Sequence, residues 1–101
     1  MYGYFGTMRT QPDQHDEVIA ILLESAASLR EHGCHSYVVG VAEGDPDLIC
    51  VSELWDSREA HDASLQLPAV REAITRAMPL LTGEFAGQEM TVRGGLGVPD
   101  A

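Results

Sequence analysis

Residues 34–55 read CHSYVVGVAEGDPDLICVSELW, two apolar runs on either side of an acidic turn. Cys34 to Ala42 and Leu48 to Trp55 are rich in β-branched and aromatic residues and have strand length. Glu43-Gly44-Asp45-Pro46-Asp47 between them has turn composition. Two strands joined by so short a turn pair as an antiparallel hairpin. A turn centred on Asp45 sets Tyr37 opposite Glu53 and His35 opposite Trp55. Side chains alternate across a strand, so these four share one face with Val39, Val41, Ile49 and Val51. Cys34, Ser36, Val38, Gly40, Ala42, Leu48, Cys50, Ser52 and Leu54 take the other face. A slip of one residue would dissolve the grouping.

Upstream, Met1 to Arg9 alternates and is rich in aromatic residues, the pattern of a strand. Tyr2, Tyr4, Gly6 and Met8 share one face; Gly3, Phe5, Thr7 and Arg9 share the other. Thr10-Gln11-Pro12-Asp13 ends it. A helix is expected from about Asp13 to His32, with Val18, Ile21, Leu22, Ser25 and Leu29 at helical spacing. Pro12, Asp13, Asp16 and Glu17 suit its start, and Gly33 suits the left-handed residue just past its end.

Downstream, Asp56 with Glu59 three residues later reads as the capped start of a short helix. Leu67-Pro68 interrupts it, and Pro68 opens a second helix to about Met78. Pro79 and Gly83 end that helix, and Glu84 to Arg93 forms a last strand. The order is β-α-β-β-α-β. It predicts an α+β, ferredoxin-like domain over residues 1–93, a four-stranded antiparallel sheet with helices on one face. The Gly/Pro-rich stretch 94–101 is expected to be a flexible tail. The uncovered sheet face is too apolar for water, which predicts a homodimer.

The chain has 101 residues, enough for one domain. Sixteen acidic residues face six arginines and no lysine, for a formal charge of −10. That charge repels nucleic-acid backbones and anionic membranes. No apolar run reaches the roughly 18 residues of a membrane span, and the first residues lack the pattern of a signal peptide, so a cytoplasmic location is expected. The hairpin register separates Cys34 from Cys50 along the strands, too far for a disulfide, so both are expected as free thiols. The sequence has no CxxC, HExxH, Gly-rich phosphate loop, GxSxG elbow or dinucleotide fingerprint. Neither a metal nor an organic cofactor is expected.

Two readings fit the cluster of His35, Tyr37, Glu53 and Trp55. One is a polar-tipped edge of the core. The other is the wall of a pocket for a flat aromatic ligand, with Trp55 as the stacking surface and a His or Tyr moving a proton. His61 lies in the short helix that starts directly after this strand, from where it can hang over the face that Trp55 occupies. His15 and His32 fall at the ends of the first helix and carry no functional weight.

The segment Val51-Ser52-Glu53-Leu54-Trp55-Asp56-Ser57-Arg58-Glu59-Ala60-His61 resembles the E-x-W-x-s-x-E-A stretch of the antibiotic-biosynthesis-monooxygenase family. Glu31-His32-Gly33-Cys34 followed by Ser36-Tyr37 is similar to that family's pGc-x-x-y approach to its second strand. The resemblance spans roughly residues 2 to 93. It implies a ferredoxin-like protomer that pairs sheet to sheet with a second copy as a dimeric α/β barrel. It also implies cofactor-free oxidation of a hydroquinone, anthrone or polyketide phenol by O₂. Trp55, Glu53 and Tyr37 match the family's tryptophan, acidic residue and second-strand tyrosine. Many members have a histidine where this chain has Leu65, and His61 stands one turn earlier. Haem-degrading relatives need an asparagine in the first strand, and residues 1–10 contain none.

The expected function is therefore a cofactor-independent monooxygenase, with His61, His35 and Tyr37 as catalytic candidates and Trp55 and Glu53 binding the substrate. Two other functions suit the same scaffold: a binding module without catalysis, and an isomerase or decarboxylase acting on a similar compound.

Overall fold

The computed structural model describes residues 1–99. The chain runs β1 (Tyr2–Thr10), α1 (His15–Ala26), a 3₁₀ turn (Leu29–His32), β2 (Cys34–Ala42), β3 (Asp45–Trp55), α2 (Arg58–Ser64), α3 (Pro68–Ala77), a second 3₁₀ turn (Met78–Leu80) and β4 (Leu81–Thr91). The strands form one antiparallel sheet in the order β2-β3-β1-β4. This is the α+β, ferredoxin-like arrangement expected from the order of elements.

The hairpin keeps its predicted register through the middle. Tyr37 opposes Glu53, Val39 opposes Val51 and Val41 opposes Ile49. Its turn lies elsewhere, because Ala42 pairs with Asp45 around Glu43 and Gly44, and β3 already begins at Asp45. An irregularity between Val41 and Ala42 absorbs the offset, as a bulge does. Pro46 is tolerated there because pairing of β1 with β3 stops at Leu48.

A second irregularity corrects the predicted end of the hairpin. Trp55 pairs with Cys34, not His35. The extra residue turns Cys34 to the helix-covered side, where it is buried with Tyr2, Leu29 and Trp55. It sends His35 outward, where Nε2 hydrogen-bonds the Asp56 carboxylate. Cys34 and Cys50 are both free thiols.

The helices differ from expectation at their ends. Asp13 has φ of 65°, so α1 begins only at His15. It stops at Ala26, and the tighter 3₁₀ turn that follows places Leu29 in the cluster around Trp55. Gly33 takes the left-handed conformation at φ 95°, and its N–H bonds back to the turn. Ser57, not Asp56, caps α2, its hydroxyl accepting from the Ala60 N–H at 3.1 Å. Pro68 opens α3 as expected. β4 starts at Leu81, ahead of the expected Glu84.

Val18 and Ile21 of α1 and Ala73 and Ala77 of α3 pack on Ile49 and Val51 of β3, forming the main core. α3 itself lies mainly against α1, and its two alanines also face the cavity described below. The opposite sheet face is uncovered, with Phe5 46%, Val38 60% and Met90 56% exposed. Among the described residues no helix is long and apolar enough to cross a membrane. Residues 92–99 hold only a turn at Leu96-Gly97, and residues 100 and 101 of the expected tail lie outside the described residues.

Gly33 is a specific test of the α1–β2 junction. A Cβ there would lie 3.0 Å from Asp56 Oδ2 and 3.3 Å from the Ala60 Cβ, in a left-handed backbone. Gly33→Ala is expected to lower stability by about 1–2 kcal/mol in urea denaturation. An unchanged midpoint would show that the junction relaxes freely.

Candidate active site

The helix-covered face of the sheet carries alternate residues of each strand. Pairing of β1 with β3 sets Tyr2 beside Trp55 and Tyr4 beside Glu53, and pairing of β2 with β3 sets Tyr37 on the other side of Glu53. Glu53 therefore stands in the middle of the sheet between two tyrosines. α1, α2 and α3 arch over this row and leave a cavity of about 230 Å³. Tyr37, Glu53, Trp55 and His61 line it with apolar side chains that include Leu22, Leu65, Ile74, Met78 and Phe85.

Trp55 is 1% exposed and donates its indole N–H to Glu53 Oε1 at 2.9 Å. So buried an indole is a fixed wall of the cavity that anchors the carboxyl group. Burial raises the Glu53 pKa, while the Trp55 hydrogen bond and the nearby His61 pull it down. The Tyr37 phenol is also raised, first by burial and then by the Glu53 carboxylate, which keeps it a neutral hydrogen-bond donor.

His61 comes from α2 and meets this row from above. Its Nε2 lies 3.9 Å from Glu53 Oε1, and its Nδ1 lies 3.0 Å from Asp62 Oδ1. The first distance is beyond a direct hydrogen bond. The His61 and Glu53 side chains are only 13% and 12% exposed. The imidazole stacks on Tyr4 (centroids 5.5 Å, 27°), tilts against Tyr2 (5.2 Å) and meets the Trp55 edge (5.6 Å, 86°). A neutral imidazole that donates Nδ1–H to Asp62 turns the Nε2 lone pair toward Glu53 and can accept a proton there.

The Tyr4 ring lies across a glycine pair. Gly6 opposes Gly87, and a Cβ on Gly87 would fall 2.1 Å from the Tyr4 hydroxyl. The two glycines thus let Tyr4 lie down under His61.

Of the five residues singled out in the sequence, four meet at the cavity. His35 does not, because the irregularity at Cys34–Ser36 directs it to Asp56 outside the cavity. The sequence reading missed Tyr2 and Tyr4 as the clamp on His61. Their place was available in the alternation of β1, had it been aligned against β3. The lining residues of α1 and α3 had no such local signal, since helical apolar faces look the same over a core and over a cavity.

The raised Glu53 has a consequence for stability. Folded Glu53 keeps its proton to a higher pH than it does in the unfolded chain, so the folded state binds more protons between the two pKa values. Stability then falls as pH rises through that window and is unaffected below both values. Glu53→Gln is expected to gain stability relative to wild type as pH rises from about 4 to 7 in chemical denaturation. A gap that stays constant with pH would contradict a raised Glu53.

Comparison with known proteins completes the description of the site. The sequence profile of the family described as antibiotic biosynthesis monooxygenase matches residues 1–76. Among solved structures, a Chloroflexus aurantiacus J-10-fl protein is 44% identical, with a TM-score of 0.79, covering 94% of this chain and 97% of its own. Its designation as an antibiotic biosynthesis monooxygenase is provisional. Proteins from Caulobacter crescentus CB15 (20% identity, TM-score 0.84, 92% and 90% covered) and Deinococcus radiodurans (22%, 0.81, 99% and 100%) share the fold. No curated protein matches the chain significantly. With its full-length likeness to the Chloroflexus protein and the profile match over most of its length, the chain belongs to the antibiotic biosynthesis monooxygenase family.

Proposed function

We propose that this protein is a cofactor-independent monooxygenase that oxidises a small phenolic ring with O₂. The observation that carries this reading is the convergence of Tyr37, Glu53, Trp55 and His61 on one apolar cavity. A phenol that loses a proton becomes electron-rich enough to reduce O₂ directly, so the protein need only bind the ring, take the proton and exclude water.

His61 Nε2 takes the substrate proton, and Glu53 and the neutral Tyr37 hydroxyl hold the ring oxygen in place. The phenolate passes one electron to O₂. The resulting radical pair joins as a C–O bond, and the His61 imidazolium returns its proton to the peroxide, giving a hydroperoxide on the ring carbon. Loss of water from that carbon forms the carbonyl of the quinone. One oxygen atom enters the product and the other leaves as water, with two hydrogens lost from the substrate. The imidazolium formed in the first step is stabilised by Asp62, which accepts from Nδ1–H, and by the Tyr4 ring below it.

The working unit in this reading is a homodimer in the cytoplasm. Phe5, Val38 and Met90 stand exposed as large apolar side chains on the uncovered sheet face, as at an interface. A second copy brings the same side chains and satisfies both. Val38→Glu is expected to convert the dimer to a monomer in light scattering, and a wild-type protein that runs as a monomer would remove the dimer from this account.

The chemistry is tested by oxygen uptake with metal-free and flavin-free protein on a panel of naphthols, hydroquinones and anthrones. Uptake above a heat-denatured control is expected, falling about 10²-fold or more in His61→Ala. Full activity in that variant would take His61 out of the reaction. A flat trace across the panel would count against oxygenation and favour a binding module or an isomerase.

A further inference from the structure

The cavity also carries a charge preference. Its ionisable lining groups are Tyr37, Glu53 and His61. The protein has no lysine, and none of its six arginines lines the cavity. Arg9 is held by Asp45 and Glu84, Arg58 by Asp62 and Glu89, and Arg76 faces Glu24, all on the outer surface. The remaining walls are apolar apart from Ser25 and Ser64, whose hydroxyl is taken up by the His61 carbonyl. A carboxylate or phosphate entering this space would lose its hydration, meet no guanidinium or ammonium, find only the His61 imidazole already flanked by Asp62 and Glu53, and face the field of a chain of charge −10.

Size narrows the ligand further. Pockets for drug-sized molecules run from roughly 300 to 1,000 Å³. The cavity here is about 230 Å³, which suits one or two fused rings. Tyr37, Glu53 and His61 offer partners for a hydroxyl at the sheet end, and Leu65, Ile74 and Met78 offer only apolar contact at the helix end.

We infer that the cavity selects a neutral one- or two-ring phenol with apolar substituents and rejects the same ring carrying a carboxylate. This inference rests on the proposed function for the location of the binding site, though not for the oxidation. Substrates that carry an acidic side chain must therefore be decarboxylated, esterified or amidated before they reach this protein.

The test is binding, not turnover, so it stands apart from oxygen uptake. The protein has a single tryptophan, so one indole N–H signal in a ¹H–¹⁵N spectrum reports on the cavity wall. At pH 7, 1-naphthol is neutral and 1-naphthoate is an anion of the same ring. Titration under nitrogen with 1-naphthol is expected to move the Trp55 indole signal saturably, with 1-naphthoate at least about tenfold weaker. Leu65→Arg puts a cation at the exposed end of α2, and Ile74→Arg does so on α3; either is expected to strengthen naphthoate binding severalfold. Naphthoate binding as tight as naphthol in the wild type would overturn the inference. So would silence of the indole signal toward both compounds, or arginine variants that leave naphthoate unchanged.

Discussion

The site depends on the pairing of β3 with both of its neighbours. β3 is flanked by β2 and β1, so every second residue from Ile49 to Trp55 is fixed against partners on two sides. Glu53 is thereby held between Tyr4 and Tyr37, with Trp55 one step further along the same face. A shift of one residue would put Ser52 and Leu54 in the cavity and bury no proton acceptor. Apolar residues lower on the strand enforce the register, because Ile49 and Val51 must face Val18, Ile21 and the alanines of α3. The packing that stabilises the fold is also what gathers these side chains at the cavity.

A carboxyl group at the centre of a sheet is costly unless it is partnered. Here the cost is met in two ways: the indole N–H of Trp55 and a protonation equilibrium displaced toward the neutral acid. The same burial that raises Glu53 also keeps Tyr37 a neutral donor. The aromatic residues around His61 restrict the ring, and Asp62 at Nδ1 orients it. The imidazole is thus presented to the cavity in one orientation, with little freedom left to lose when a substrate binds.

Much of this could be read from residues 34–55. The β-branched runs and the acidic turn gave the hairpin, and its symmetry gave the Tyr37–Glu53 pair that the structure contains. The turn lies earlier than the composition of residues 43–47 suggests, because beyond the reach of β1 a strand tolerates proline. His35 was misplaced because a bulge leaves no mark on alternation until the following residue is paired. Asp56 and Ser57 are equally suited by sequence to cap α2; Ser57 takes the role and leaves Asp56 to His35. The long first helix was read through Ala26 to His32 because Leu29 keeps helical spacing in a 3₁₀ turn as well. The cavity itself was not legible, since an apolar helix face predicts burial and says nothing about whether the space beneath it is filled.

The central claim is that these side chains alone direct one atom of O₂ into a phenolic ring. It is tested most directly by mass spectrometry of the product formed under ¹⁸O₂ by the metal-free and flavin-free protein. The account predicts a quinone carrying one ¹⁸O atom, with the second recovered as water. An unlabelled quinone accompanied by hydrogen peroxide would contradict it, because the protein would then transfer electrons to oxygen without inserting an atom of it.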